Sequence, residues 1–340
     1  MSMVIEGSTP RKLMIRHLEP GQRVDDEIYR VQQRDLRTTT SGSNYIHLVI
    51  ADSSGEMLGR VWNASQELYD TIPDGGFMHF RGRVENYKGN RQFIIDGMRS
   101  VRPNEVDPTE FLPSTKFDVE VMWARVKEIL RTIENPHVLA LAGRFVNDER
   151  FARDFKRAPA AITNHHAYLG GLLEHTLNLL ELAVLVMPRY PHVSRDLVLI
   201  GCFLHDSGKT AELGFDTNFK YTNAGQLLGH INLAVTWVAQ RVREWELEKN
   251  EMFPPEIAES IQHIILSHHG RYEYGSPRLP AMAEAFVVHY LDNLDAKLNM
   301  VAEAITDDPD KGSDWTGFVK ALDTKVFKPD VMGIRTPEPE

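Results

Sequence analysis

At 340 residues the chain is long enough for two domains and a sizeable core. With 42% hydrophobic and 25% charged residues it has the make-up of an ordinary soluble protein, and its net charge of −10 excludes a general nucleic-acid coat while leaving room for a local basic groove. The single cysteine, Cys202, excludes an internal disulfide and points to a reducing compartment, here the cytoplasm. The most apolar long stretch, 172–187, is interrupted by Glu174, His175, Asn178 and Glu181, so no membrane span is expected. The N-terminus lacks a basic-then-apolar leader pattern.

From about residue 24 to 101 the sequence reads as strands. Residues 45–50 alternate Ile46, Leu48 and Ile50, the Asp52-Ser53-Ser54-Gly55 turn follows, and 56–62 return as a second strand. Residues 77–87 and 91–96 form a hairpin about Lys88-Gly89-Asn90, and 64–69 are a helical patch. Short strands with one helical turn predict a small OB-type β-barrel. Residues 28–102 carry ten basic against eight acidic residues, a slightly basic stretch in an acidic chain. Its arginines interleave with Tyr45, Trp62, Tyr87 and Phe93, the mixture of cations and stacking rings that holds single-stranded nucleic acid. Strand faces are not fixed by this pattern, so core positions compete with stacking ones. The expected organisation is a barrel domain at 1–102, a proline-bearing acidic linker at 103–117, a helical domain at 118–327 and a tail at 328–340. The run 307–314 reads as a solvated loop.

Beyond the linker, helices are expected at 117–133, 137–145, 148–155 and 168–187. The last has an apolar stripe of Leu172, Leu179, Ala183 and Val186 on which His175 sits. Residues 197–204 are apolar all round, which marks a buried helix. It ends in His205 and Asp206, and Ser207 and Gly208 stop it. A buried imidazole beside a buried carboxylate needs a partner or a metal. Cys202, within the same apolar run, reads as core. His230 opens a helix at 229–242. His268 and His269 close one at 255–269, with His263 off its apolar face. The helix at 281–304 has Asp292, Asp295 and Asn299 on one face with Val288. Five helical segments therefore bring His or Asp to a buried face or a helix end. Such donors suit Mn, Fe, Co, Ni or Zn, and the lack of thiolates argues against a structural zinc. Two metals sharing one carboxylate would form a clamp for phosphate hydrolysis.

His175, His205-Asp206 and Asp292 resemble the H…HD…D signature of the HD superfamily of metal-dependent phosphohydrolases, with His205-Asp206-Ser207-Gly208-Lys209 in its HD-x-G-K form. His230 and His268-His269 resemble its expanded two-metal pattern. The phrases His165-His166-Ala167, Gly170-Gly171-Leu172-Leu173-Glu174-His175-Thr176, Ser267-His268-His269-Gly270 and Tyr290-Leu291-Asp292-Asn293-Leu294-Asp295-Ala296, together with the domain order, resemble the YhaM family of bacterial 3′→5′ exoribonucleases. The resemblance implies an OB-type barrel followed by an all-α HD domain. It further implies exonucleolytic hydrolysis of single-stranded RNA, with DNA also open, using two divalent ions, usually manganese. Carried over by position, one metal takes His175, His205, Asp206 and Asp292. The other takes Asp206 as bridge with His230, His268 and His269. Asp292 is preferred to Asp295, which would anchor a ligating imidazole. Asp206 and Lys209 are the catalytic candidates, Lys209 as a cation for the scissile phosphate. His166 and Arg271 are candidates for contact with phosphate or bases, and His166 alternatively caps the following helix. No membrane partner is implied, and a homo-oligomer stays open. Two rival readings remain at this stage: an HD phosphohydrolase for a small nucleotide or cyclic dinucleotide, and a non-catalytic single-strand-binding protein with a structural metal.

Overall fold

The computed structural model describes residues 13–87, 89–102, 105–162, 166–215 and 219–333. The chain divides into two compact bodies that meet in sequence at Ser114 and Thr115.

The first body is a closed five-stranded barrel. Its strands are β1 (Arg23–Thr38), β2 (Asn44–Asp52), β3 (Gly55–Trp62), β4 (Phe77–Tyr87) and β5 (Asn90–Ser100), with helix α1 (Gln66–Thr71) between β3 and β4. The order β1-β2-β3-β5-β4 closes because β1 pairs with β4, and β3 meets β5 in parallel. This is the OB arrangement. β1 serves two neighbours by bending at register shifts between Val24 and Glu27 and between Val31 and Gln33. The interior holds Tyr29, Val31, Ile46, Leu48, Ile50, Phe80 and Phe93.

Phe93 corrects an expectation. It faces Val84 across the β4–β5 pair, sits edge-on to Tyr29 at 6.4 Å, and is fully buried. It is a core ring and offers no stacking surface. Gln92, Phe93, Ile94 and Ile95 are all buried, so the alternation that separates inside from outside is lost in this strand. The stretch expected as a loose linker is partly packed as well. Phe111 ends a short 3-10 turn, is buried and lies 5.0 Å from the ring of Phe77, and Leu112 is also buried.

The second body is helical. It runs through α2 (Val119–Leu130), α3 (Pro136–Val146), α4 (Glu149–Arg157), α5 (Gly171–Val186), α6 (Arg195–Leu204) and α7 (Lys209–Glu212). A two-stranded ribbon, β6 (Leu213–Gly214) with β7 (Lys220–Tyr221), precedes α8 (Asn223–Lys249), α9 (Pro255–Ser267) and α10 (Ala283–Thr306). The starts of α2, α3, α4, α6 and α8 are each capped by the preceding side chain: Asp118, Asn135, Asp148, Ser194 and Thr222. Val198–Leu204 of α6 is wholly buried, and Phe203 packs among Trp123, Phe145, Phe151 and Phe155. Gly171–Arg189 is the one segment among the described residues long and apolar enough to cross a membrane; half of it is buried in this body, and it carries His175.

The all-α expectation needs one addition besides β6–β7. After α10 comes a hairpin, β8 (Trp315–Val319) with β9 (Thr324–Phe327). The acidic run before it is organised, because buried Asp308 accepts hydrogen bonds from Asp310 N, Gly317 N and Lys328 Nζ.

Candidate metal centre

Five pieces of chain converge on one buried point. α5 brings His175, the turn after α6 brings His205 and Asp206, α8 brings His230, the end of α9 brings His268 and His269, and α10 brings Asp292. The site falls into two donor groups joined by Asp206. Oδ2 of Asp206 lies 3.4 Å from His205 Nε2 and 3.9 Å from His175 Nε2. Asp292 Oδ1 completes that side at 3.2 Å from His175 Nε2 and 3.9 Å from His205 Nε2. Oδ1 of Asp206 faces the other way, 3.4 Å from His230 Nε2 and 3.6 Å from His268 Nε2. With His269, these four residues present donor atoms within 4.8 Å of one another.

The imidazoles are held from behind. Nδ1 of His205 donates to Cys202 O (2.9 Å), that of His268 to Ile265 O (2.7 Å) and that of His269 to Tyr274 O (2.7 Å). His230 Nδ1 donates to Glu212 Oε1 at 3.1 Å, and His175 Nδ1 to Asp295 Oδ2 at 2.7 Å. With each Nδ1 engaged in this way, the Nε2 atoms all face the cluster, which is how ligating histidines are fixed. Asp206 Oδ1, His230 Nε2 and His268 Nε2 are buried and have no hydrogen-bond partner among the described residues. Unpaired buried groups are costly. A divalent cation satisfies them, so the donor set fits a metal.

The charges agree. Burial opposes ionisation of Asp206, yet Lys209 and the neighbouring histidines hold its pKa well below the usual carboxylate range. Burial also works against charge on His175, but Asp292 and Asp295 push it up to about 9, a sign of excess negative charge on that side. Burial depresses His268 and takes His269 down to about 3, so both stay neutral and keep their lone pairs.

The fold explains two glycines in this region. A Cβ on Gly208 would lie 2.0 Å from His230 O, so the turn after Asp206 admits α8 only without a side chain. Gly229 interrupts α8 at φ 71, ψ 156, a conformation essentially reserved for glycine. The break turns His230 so that its N–H and its ring both meet Glu212 Oε1.

Asp292 and Asp295 take different positions. Asp292 faces Nε2 of His175, whereas Asp295 binds Nδ1 on the far side and also receives Asn178 Nδ2 at 2.9 Å. His166 is a correction. It is buried, with Nε2 3.0 Å from Asp295 Oδ2 and Nδ1 2.7 Å from Tyr168 Oη, so it braces Asp295 and offers nothing to substrate. It does not cap α5 either, since the residue there is Gly170. Lys209 is not a surface lysine: Nζ donates to Asp206 Oδ2 at 2.7 Å from a largely buried position. Arg271 is exposed just past His269, 5.8 Å from the Tyr274 ring. Glu212 and Asn178 are not among the candidate site residues that the sequence offers. Asn178 had a signal, three residues after His175 on the same helix face. Glu212 had none, since its contact depends on the break at Gly229.

On the barrel, Tyr45 and Trp62 are direct partners in the β2–β3 pair, with rings 5.2 Å apart. The Arg60 guanidinium lies 5.7, 5.4 and 5.5 Å from the rings of Tyr45, Trp62 and Tyr87. Trp62 and Tyr87 are 44% and 49% exposed, so this platform faces solvent, unlike Phe93.

The family model "HD domain" matches residues 172–297, the segment that contains the seven donor residues. Among curated proteins, the 3′-5′ exoribonuclease YhaM of Bacillus licheniformis is 33% identical over 311 residues, which is 91% of this chain and 95% of the relative. Among solved structures, a domain of replication protein A from Methanococcus maripaludis is 20% identical over 26% of this chain and 92% of its own, with a TM-score of 0.22. The HD domain of the L. monocytogenes phosphodiesterase PgpH is 19% identical over 45% of this chain and 74% of its own, with a TM-score of 0.27. With a third of its residues shared along nearly the full length of the B. licheniformis protein, this chain belongs to the YhaM family of 3′-5′ exoribonucleases.

Proposed function

We propose that this protein is a metal-dependent 3′→5′ exonuclease that hydrolyses the phosphodiester bonds of single-stranded RNA in the cytoplasm. The observation that carries the reading is the two-sided Asp206 carboxylate, with a His/Asp group on each oxygen and three buried donor atoms left unpaired. His175, His205, Asp206 and Asp292 would hold one ion, and Asp206, His230, His268 and His269 a second. Mn2+ suits these nitrogen and carboxylate donors and, when bound, supplies charge stabilisation for phosphoryl oxygens and acidifies water.

The side chains do the rest. Asp206 holds the two donor groups in one register, and Asp295 and Glu212 keep His175 and His230 in the tautomer that faces inward. Lys209, fixed against Asp206, places a cation where a phosphate would enter, and exposed Arg271 is a second phosphate contact. Tyr45, Trp62 and Tyr87 around Arg60 offer stacking faces for unpaired bases. None of these contacts needs a 2′-hydroxyl, so DNA is a chemically acceptable substrate too.

The test is a time course on 5′-labelled single-stranded RNA with manganese, run beside Asp206→Asn. A descending ladder that keeps the 5′ label, and is absent with the variant, is the expected result. Intact RNA and DNA with metal-replete wild type would overturn the nuclease reading in favour of a small nucleotide substrate.

A further inference from the structure

A cavity of about 330 Å3 opens over the donor cluster. Asp206 and Asp292 lie at one part of it, and α10 continues its wall through Asn293, Lys297 and Met300. Ala321 also lines it, although it belongs to the turn between β8 and β9, far along the chain from any ligand.

That turn is tied down at both ends. At the tip, Lys297 Nζ donates to Ala321 O at 2.7 Å. At the base, Lys328 Nζ meets Asp308 Oδ1 at 3.1 Å and Gly317 N donates to Asp308 Oδ2 at 3.0 Å, while Val326 N donates to Thr316 Oγ1 at 2.9 Å between the two strands. The hairpin is therefore a fixed wall of the cleft. Lys297 lies five residues beyond Asp292 on α10, about 7.5 Å of helix rise. The cavity is near the lower end of the ~300–1,000 Å3 usual for small-ligand pockets, so it has room for about one nucleotide beyond the cut bond.

A groove that cuts within a strand must let the chain pass on both sides. A wall about one nucleotide beyond Asp206 and Asp292 would prevent that. We infer that the β8–β9 turn, held by Lys297, is the end stop of this active site: it restricts cutting to chain ends and sets the length of the released piece. Lys297 is then a positioning residue. This inference rests on the nuclease reading above and adds to it what measures the product.

The experiment compares full-length wild type with Lys297→Met and with a chain in which residues 320–323 are replaced by two glycines. Each is first shown to bind manganese in the wild-type amount. The substrates are linear single-stranded RNA and the same sequence closed into a circle. Wild type should release mononucleotides from the linear form and leave the circle intact. Both variants should release dinucleotides and longer pieces and cut the circle at least about tenfold faster than wild type. Mononucleotides only and an intact circle with the short-turn chain would overturn the end stop. Circle cutting by wild type would overturn the end stop and the exonucleolytic part of the reading while sparing phosphodiester hydrolysis, whereas intact linear RNA with wild type would overturn all of it. If the short-turn chain misfolds and loses manganese, Lys297→Met decides by the same two readouts.

Discussion

Asp295 shows how one carboxylate outside a donor cluster can govern it. Its Oδ2 meets both His175 Nδ1 and His166 Nε2, and Oδ1 takes Asn178. Asp295→Asn keeps an acceptor but removes the charge that fixes the His175 tautomer. Metal affinity should fall about 10–100-fold, the range for changes behind a ligating histidine. Manganese titration with far-ultraviolet dichroism as a folding control checks this, and unchanged affinity would mean that the backbone alone orients His175. The clustered histidines were legible as candidates because spacing put them on buried faces or helix ends. The division between Asp292 and Asp295 was not derivable from spacing, since residues three apart share a helix face. It follows from which ring nitrogen each one meets. His166 was misread because its partner, Asp295, is distant in sequence and a histidine's neighbours are invisible to local pattern.

At the scale of elements, helices were legible from their apolar periodicity, whereas their starts are set by the caps Asp118, Asn135 and Ser194, which periodicity does not mark. The break in α8 was legible only as a helix opening at His230; its cause is the backbone at Gly229. Gly229→Ala should cost ~1–3 kcal/mol, because a β-carbon disfavours that region of backbone space. The larger consequence is local. If the chain relaxes to a continuous helix, the His230 N–H and ring both leave Glu212, and Nε2 leaves Asp206. Urea unfolding should show the modest loss, while metal stoichiometry should drop on the His230 side. Full stoichiometry with wild-type stability would sink this account of the kink. The β8–β9 hairpin escaped notice for a related reason. Its anchors, Asp308 to Lys328 and Lys297 to Ala321, are long-range hydrogen bonds that leave no periodic trace.

At the scale of the whole molecule, the proposed function assigns binding to one body and chemistry to the other, and the barrel's rings test that division. Phe93 and Trp62 looked alike in sequence, each an aromatic residue in a strand near arginines. Closure of the barrel separates them: Phe93 is sealed inside, while Trp62 stands 44% exposed beside Arg60. Phe93→Ala should destabilise the barrel by ~3–5 kcal/mol, the cost of emptying a packed aromatic site. Trp62→Ala should leave stability almost unchanged but remove one stacking surface, worth ~1–3 kcal/mol per base. That is a rise in KM of about 5–150-fold on long single-stranded RNA. The donor cluster is built entirely from the helical body, so the same variant should hydrolyse a small chromogenic phosphodiester, which has no second base to stack, at the wild-type kcat. Parallel steady-state kinetics on the two substrates separate the cases. Equal losses on both would mean that the barrel supports the active site itself rather than holding the strand. A loss confined to long RNA would assign substrate capture to the platform and bond cleavage to the residues around Asp206.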